Sequence, residues 1–306
     1  MANSETLASR LAHLSPAQRA LAEKRLRGGA AASGIKSSVW SPLVEIQPGT
    51  STKIFFGVHA LSGTVTGYLD LARRIGEDQT FYALQARGID TDDEPHARLE
   101  MMAAYYLEAL REFQPEGPYL LGGYSLGGHI AFEMAQQLCA EGARVGLLAL
   151  LDTSRSDHNT GWDGEFDGAL YWHSRFRNDL NLPLGHLRSL APDRQVDYVV
   201  ERLKLADKQP PFMSMPHANP RRMLKVEKGN HQALFTYKHK PYPGVITLLR
   251  TARDARPTAT PDLGWGPLAA GGVEIHRIPG DHKTMLKSPN IEVVGRVLKE
   301  CIAKAA

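Results

Sequence analysis

Short apolar runs alternating with helix-like stretches constrain this chain more than any other feature. Ile54–Val58, Thr80–Leu84, Tyr119–Gly122, Val145–Leu151, Val245–Leu249 and Val273–Ile278 read as strands. Most are apolar almost throughout rather than alternating with polar residues, so both faces need cover. Between them lie helical patterns. Met101–Phe113 carries Met102, Tyr105, Tyr106, Ala109 and Phe113 at helical spacing, Ile130–Leu138 is a second helix, and Ile291–Ile302 closes the series. Strand and helix in alternation predict an α/β fold, a mostly parallel sheet with helices on both faces. With 306 residues, 42% hydrophobic and 23% charged, the chain carries enough apolar material for such a core.

Two stretches leave this rhythm. Between Asp152 and Pro243 no buried strand is evident; the stretch holds Trp162, Tyr171, Trp172, Phe176 and a helical run from Leu187 to Leu205. It is too long for a plain loop and predicts a helical lid insertion over the sheet, about 155–240. Its aromatics Trp162, Trp172 and Phe176 either line a pocket or form the lid's own core. The other stretch is 1–39, expected to be a helical leader and flexible linker ahead of a catalytic domain over 40–306. Ser15-Pro16-Ala17-Gln18 has the look of a capping box with proline at the first helical position, and Gly28–Gly34 reads as linker. The leader is either a frayed segment or a tether to an upstream domain.

Several function classes are excluded as expectations. Cys139 and Cys301 offer neither a disulfide framework nor metal-site spacing, so a reduced, cytoplasmic setting is expected. No basic segment followed by an apolar run marks a secretory signal, and no stretch approaches the ~20 apolar residues of a membrane span. The net charge of +3 is spread along the chain with no basic block interleaved with aromatics, so nucleic acid is not expected as a partner. An acidic protein partner is compatible with it.

The chemistry concentrates on Gly123-Tyr124-Ser125-Leu126-Gly127. Gly-x-Ser-x-Gly is short enough to arise by chance, but here it follows a strand and opens a helix. That is the setting of a nucleophile elbow, where a sharp turn needs small neighbours and exposes the serine hydroxyl. The alternative is a glycine-rich turn without chemistry. A serine needs a base, and His282, on the loop after the last strand, occupies the expected position. His129, His231, His239 and His276 read as packing or surface histidines. Two aspartates compete to orient the base, Asp152 directly after the strand ending at Leu151 and Asp254 a few residues after Leu249. Asp152 abuts its strand and is the better fixed; Asp254 is the alternative acid. An oxyanion hole needs two N–H donors. Leu126 supplies one, and Leu61, in His59-Ala60-Leu61-Ser62-Gly63, the other; that loop could instead only pack against the elbow.

These residues resemble the type I thioesterase domains of nonribosomal peptide and polyketide synthases, within the α/β-hydrolase superfamily. The resemblance spans about residues 40–300. It rests on Gly123–Ala135, Tyr82–Gly88, Tyr242–Leu249, Leu263-Gly-Trp-Gly266 and Pro279-Gly-Asp-His282. One departure is His59-Ala60, where the family commonly has His-Pro; proline would stiffen that loop. Leu14–Leu26 is similar to linkers within such synthetases. The resemblance implies an acyl or peptidyl thioester substrate delivered on the phosphopantetheine of a carrier protein, a Ser125 acyl-enzyme, and release by hydrolysis or macrocyclisation. It implies no cofactor and no metal. A stand-alone editing thioesterase, whose acid more often follows the next strand near Asp254, and a carrier-independent esterase are the alternatives.

Overall fold

The computed structural model describes residues 40–155, 165–207, 219–253 and 260–305. The leader expected over 1–39, Trp162 and Asp254 lie outside the described residues. The strands are β1 (Leu43–Gln47), β2 (Phe55–Val58), β3 (Phe81–Leu84), β4 (Tyr119–Tyr124), β5 (Val145–Leu151), β6 (Ile246–Thr251) and β7 (Val273–Ile278). The helices are α1 (Leu69–Ile75), α2 (Leu99–Phe113), α3 (Leu126–Ala140), α4 (Gly168–Arg175), α5 (Leu184–Ser189), α6 (Pro192–Leu205), α7 (Pro220–Thr236) and α8 (Asn290–Lys304).

Among the described residues the strands form one seven-stranded sheet in the order β1-β3-β2-β4-β5-β6-β7. β1 pairs antiparallel with β3, and every other neighbouring pair is parallel. Alternate side chains on each strand sort to opposite faces. Phe56, Val58, Leu121, Leu148 and Leu150 pack with α2 and α3, while Phe55, Phe81, Leu120, Ala149 and Leu151 pack with α1 and α8. Covering both faces is what the uninterrupted apolar runs require, and each buried leucine contributes about 2 kcal/mol. β1 escaped the sequence reading because it is a half-exposed edge whose register shifts between Glu45 and Gln47, which breaks the alternation.

The chain leaves β2 to form β3 on one side, then returns across β2 to form β4 on the other. Loops that follow β2 and β4 at their C-terminal ends therefore part in opposite directions, and a crevice opens between them. Tyr68 ties the two strands at that point: its hydroxyl donates to the Val58 carbonyl at 2.6 Å and accepts from the Tyr124 amide at 3.0 Å.

Between β5 and β6 the described residues form the helices α4–α7, a helical lid. Asp167 caps α4 by accepting from the Ala169 and Leu170 amides, and Asn219 caps α7 in the same way. The single run expected over Leu187–Leu205 is two helices. Pro192 pushes Ala191 into extended backbone (ψ 151°) and starts α6 afresh. Trp172 and Phe176 are fully buried and stack on each other at 6.3 Å, so they form the lid's own core.

Candidate active site

The β4–α3 connection is a single residue wide. Ser125 takes φ 57° and ψ −120°, a left-handed region that is costly for a residue with a side chain, by about 1–3 kcal/mol. Its amide donates to the Leu151 carbonyl of β5 at 3.0 Å, which fixes the turn to the sheet. The flanking glycines are required by close approach. A Cβ on Gly123 would strike the Gly127 backbone, and one on Gly127 would strike the Val58 carbonyl. Thr153 closes the turn from below, donating from Oγ1 to the Ser125 carbonyl at 3.0 Å.

Asp152 repeats the arrangement one strand over. It follows β5 directly, has φ 46°, and its amide donates to the Leu249 carbonyl of β6 at 2.7 Å. Asp152 Oδ1 accepts from the Thr251 amide (2.8 Å) and from Thr251 Oγ1 (2.9 Å), leaving Oδ2 for His282. Burial would raise this carboxyl, but the bonds from His282 and Thr251 outweigh it and hold it below the usual carboxylate value.

His282 sits on the loop after β7, where the Asp281 carboxylate accepts from the Lys283 and Thr284 amides and sets the turn. Its Nδ1 lies 2.7 Å from Asp152 Oδ2 and its Nε2 3.1 Å from Ser125 Oγ. With Asp152 accepting from Nδ1–H, Nε2 is the acceptor facing the serine hydroxyl. The Tyr124 ring stacks on the imidazole at 4.8 Å, and its hydroxyl donates to the His282 carbonyl. Ser125, His282 and Asp152 are therefore joined in one chain of hydrogen bonds along the sheet's C-terminal rim.

Leu126 opens α3, so its amide is among the four at a helix start with no carbonyl one turn back. On the other side of the crevice the His59–Gly63 loop is held without proline. His59 is fully buried. Its Nε2 accepts from the Tyr106 hydroxyl at 2.7 Å, and its Nδ1 donates to the Ala60 carbonyl at 2.8 Å. The Gly63 amide donates to the same carbonyl at 3.0 Å, and the Ala86 amide to the Gly63 carbonyl at 2.9 Å. In a trans peptide the N–H points opposite to the C=O, so tethering the Ala60 carbonyl fixes the direction of the Leu61 amide.

The other histidines have separate places. His129 Nδ1 lies 2.9 Å from His239 Nε2, and both rings pack on Trp265. His276 pairs with Glu274. His231 lines a cavity of about 480 Å3 under the lid, with Leu61, Phe166, Leu170, Tyr171 and Phe235. Behind that wall the buried Glu227 carboxylate accepts from Tyr171 and Arg175. Sequence reasoning missed Thr251, Tyr68 and the cavity aromatics Phe166 and Phe235. Thr251 and Tyr68 carry no motif and each acts through two hydrogen bonds, and neither phenylalanine belongs to a run that the sequence reading names. Trp265 had a signal, since Leu263–Gly266 was singled out; its Nε1 donates to the Thr153 carbonyl at 2.8 Å.

Among the described residues no cluster of histidine, cysteine or acidic side chains could hold a metal ion, and no helix is long and apolar enough to cross a membrane. The family model for the thioesterase domain matches residues 53–304. Polyketide synthase PksR of Bacillus subtilis (strain 168) is 40% identical over 111 residues, 36% of this chain but 4% of that protein. The crystal structure of a four-domain nonribosomal peptide synthetase bound to AMP and glycine superposes with a TM-score of 0.68 at 26% identity, covering 97% of this chain and 22% of that one. The NocB thioesterase domain, in covalent complex with a fluorophosphonate nocardicin G analogue, superposes with a TM-score of 0.61 over 86% of this chain and 100% of its own. At 23% identity that likeness bears on fold alone.

Proposed function

The chain belongs to the thioesterase domain family, and on that premise we propose that it releases an acyl or peptidyl chain from the phosphopantetheine arm of a carrier protein. The observation that carries this reading is the relay of Ser125, His282 and Asp152, with Nε2 3.1 Å from Oγ and Nδ1 2.7 Å from the carboxylate. Ser125 attacks the thioester carbonyl while His282 takes its proton, and Asp152 orients the imidazole and stabilises its charged form. The Leu126 and Leu61 amides receive the oxyanion of the tetrahedral intermediate. That intermediate collapses, the phosphopantetheine thiolate leaves with the proton from His282, and an ester on Ser125 remains. Water, or a nucleophile within the acyl chain, then attacks the ester with His282 again the base, giving an acid or a macrocycle. No step calls for a metal or cofactor.

The division into a leader and linker over 1–39 and a catalytic domain over 40–306, with its lid about 155–240, belongs to the same proposal. The similarity of Leu14–Leu26 to synthetase linkers supports the first part. Asp152 is the acid of choice because it is already engaged by both Thr251 and His282.

Carrier dependence is tested by giving the protein one acyl group in two forms, on a phosphopantetheinylated carrier and as a small oxygen ester. The expected result is a kcat/KM for the carrier-bound thioester at least about a hundredfold higher, since remote binding energy is spent at the reacting centre. Equal turnover of both would point to a carrier-independent esterase.

A further inference from the structure

The two peptide units at the tip of the β2 loop are held from opposite sides. The Ala60–Leu61 unit is held by the scaffold, through His59 Nδ1 and the Gly63 amide on the Ala60 carbonyl. The Leu61–Ser62 unit is held by the lid: Asn230 Nδ2, on α7, donates to the Leu61 carbonyl at 2.9 Å. Asn230 is 1% exposed, and this bond satisfies its buried amide. One turn earlier on α7, Val226 packs against Gly63, where a Cβ would collide with it.

The same helix faces the lid cavity. His231, next to Asn230, and Phe235 form part of the cavity wall, and Leu61 forms another part. One residue of the loop thus has its carbonyl on α7, a place in the cavity wall, and its amide as the second oxyanion donor assigned above. A group that filled the cavity would touch α7 and Leu61 together.

We propose that Asn230 is a positioning residue that makes the alignment of the Leu61 amide depend on the seat of α7, and so on what occupies the lid cavity. This rests on the reading of Leu61 as an oxyanion donor. Its consequence is that acyl groups large enough to fill the cavity are selected in kcat rather than in KM. Binding energy in the cavity is then expressed where the oxyanion forms.

The test compares the full chain with Asn230→Ala and Leu298→Ala. The probes are N-acetylcysteamine thioesters of acetic and 3-phenylpropionic acid, together with 2-phenylethylboronic acid, whose adduct with a serine hydroxyl is a tetrahedral anion. The wild type should turn over the phenylpropionyl thioester with the higher kcat. In Asn230→Ala that kcat should fall about ten- to hundredfold with KM within about twofold, as misplacement of an oxyanion donor predicts. The kcat ratio between the two acyl groups should collapse towards one, and boronate affinity should fall by the same factor as kcat. Leu298→Ala thins the packing of α8 on the opposite face of the sheet without touching the lid or the β2 loop. It should lower Tm while leaving the kcat ratio and boronate affinity in place.

The proposal is overturned if Asn230→Ala lowers Tm but leaves the kcat ratio and boronate affinity unchanged, if it raises KM alone, or if Leu298→Ala reproduces its kinetic effects. These results would leave Ser125 as nucleophile untouched. A folded wild type that does not bind the boronate at Ser125 would remove both this proposal and the thioesterase reading.

Discussion

The sheet's C-terminal rim and the lid above it are built on different principles. At the rim Ser125 and Asp152 are fixed by backbone. Ser125 and Asp152 each follow their strand without a spacer, and each is hydrogen-bonded through its amide to the next strand over. In the lid, position is set by side chains: an aromatic stack at Trp172 and Phe176, a buried carboxylate at Glu227, and surface ion pairs such as Arg222–Asp92 and Lys225–Glu94. The exposed pairs each contribute little. The rim suits chemistry that needs fixed distances. The β2 loop is where the two systems meet.

The comparison predicts that damage at the rim costs rate and damage in the lid costs local order. The largest effect is expected for Asp152→Asn, which keeps the shape but removes the charge that orients His282. kcat should drop about 10^4-fold, measured by single-turnover kinetics on an activated thioester. Asp254→Asn should leave the rate within about twofold. A large loss only in the second would transfer the role of acid to Asp254.

Next comes the pH dependence of stability. Burial pushes the His59 imidazole down to about 4, against 6.5 for an ordinary histidine. The folded state refuses a proton that the unfolded chain accepts. The stability this group contributes is therefore complete above about pH 6.5 and is lost as pH falls towards 4, about 3 kcal/mol in all. Asp152 adds a separate window at lower pH, because its carboxyl is held below the usual 3.8 and loses its contribution only as pH falls through that range. Urea unfolding at pH 7.5 and 4.5 measures the first window, and in His59→Gln the difference between the two pH values should shrink.

The smallest effect is expected in the lid. Glu227→Gln leaves the half-buried Arg175 without its counter-charge, at about 2 kcal/mol. Hydrogen exchange should quicken in α4 and α7 while the amides of β4 and β5 keep their protection. Loss of protection in the strands would show that lid and sheet are one cooperative unit.

The sequence-to-structure relation divides along the same line. The rim was legible because its demands fall on residue type at fixed spacing. Glycines stand where backbones touch, an aspartate directly follows a strand, and a histidine follows the last one. The core strands were legible because burial on both faces leaves no polar alternation. The half-exposed β1 had no such pattern. In the lid, a proline split one expected helix into two. Trp172 and Phe176 proved to be its core, while Phe166 and Phe235 line the cavity. Which face of a short helix turns inward depends on partners distant in sequence, and Asn230 with Leu61, 169 residues apart, is such a case.

The proposed mechanism depends on acylation of Ser125 in turnover. Incubating the protein with a fluorophosphonate probe and locating the adduct by peptide mass spectrometry tests it most directly. A single adduct on Ser125 is expected, absent in Ser125→Ala and slowed by at least about a hundredfold in His282→Ala, which lacks the proposed general base. An adduct on another residue, or labelling that persists in Ser125→Ala, would contradict it.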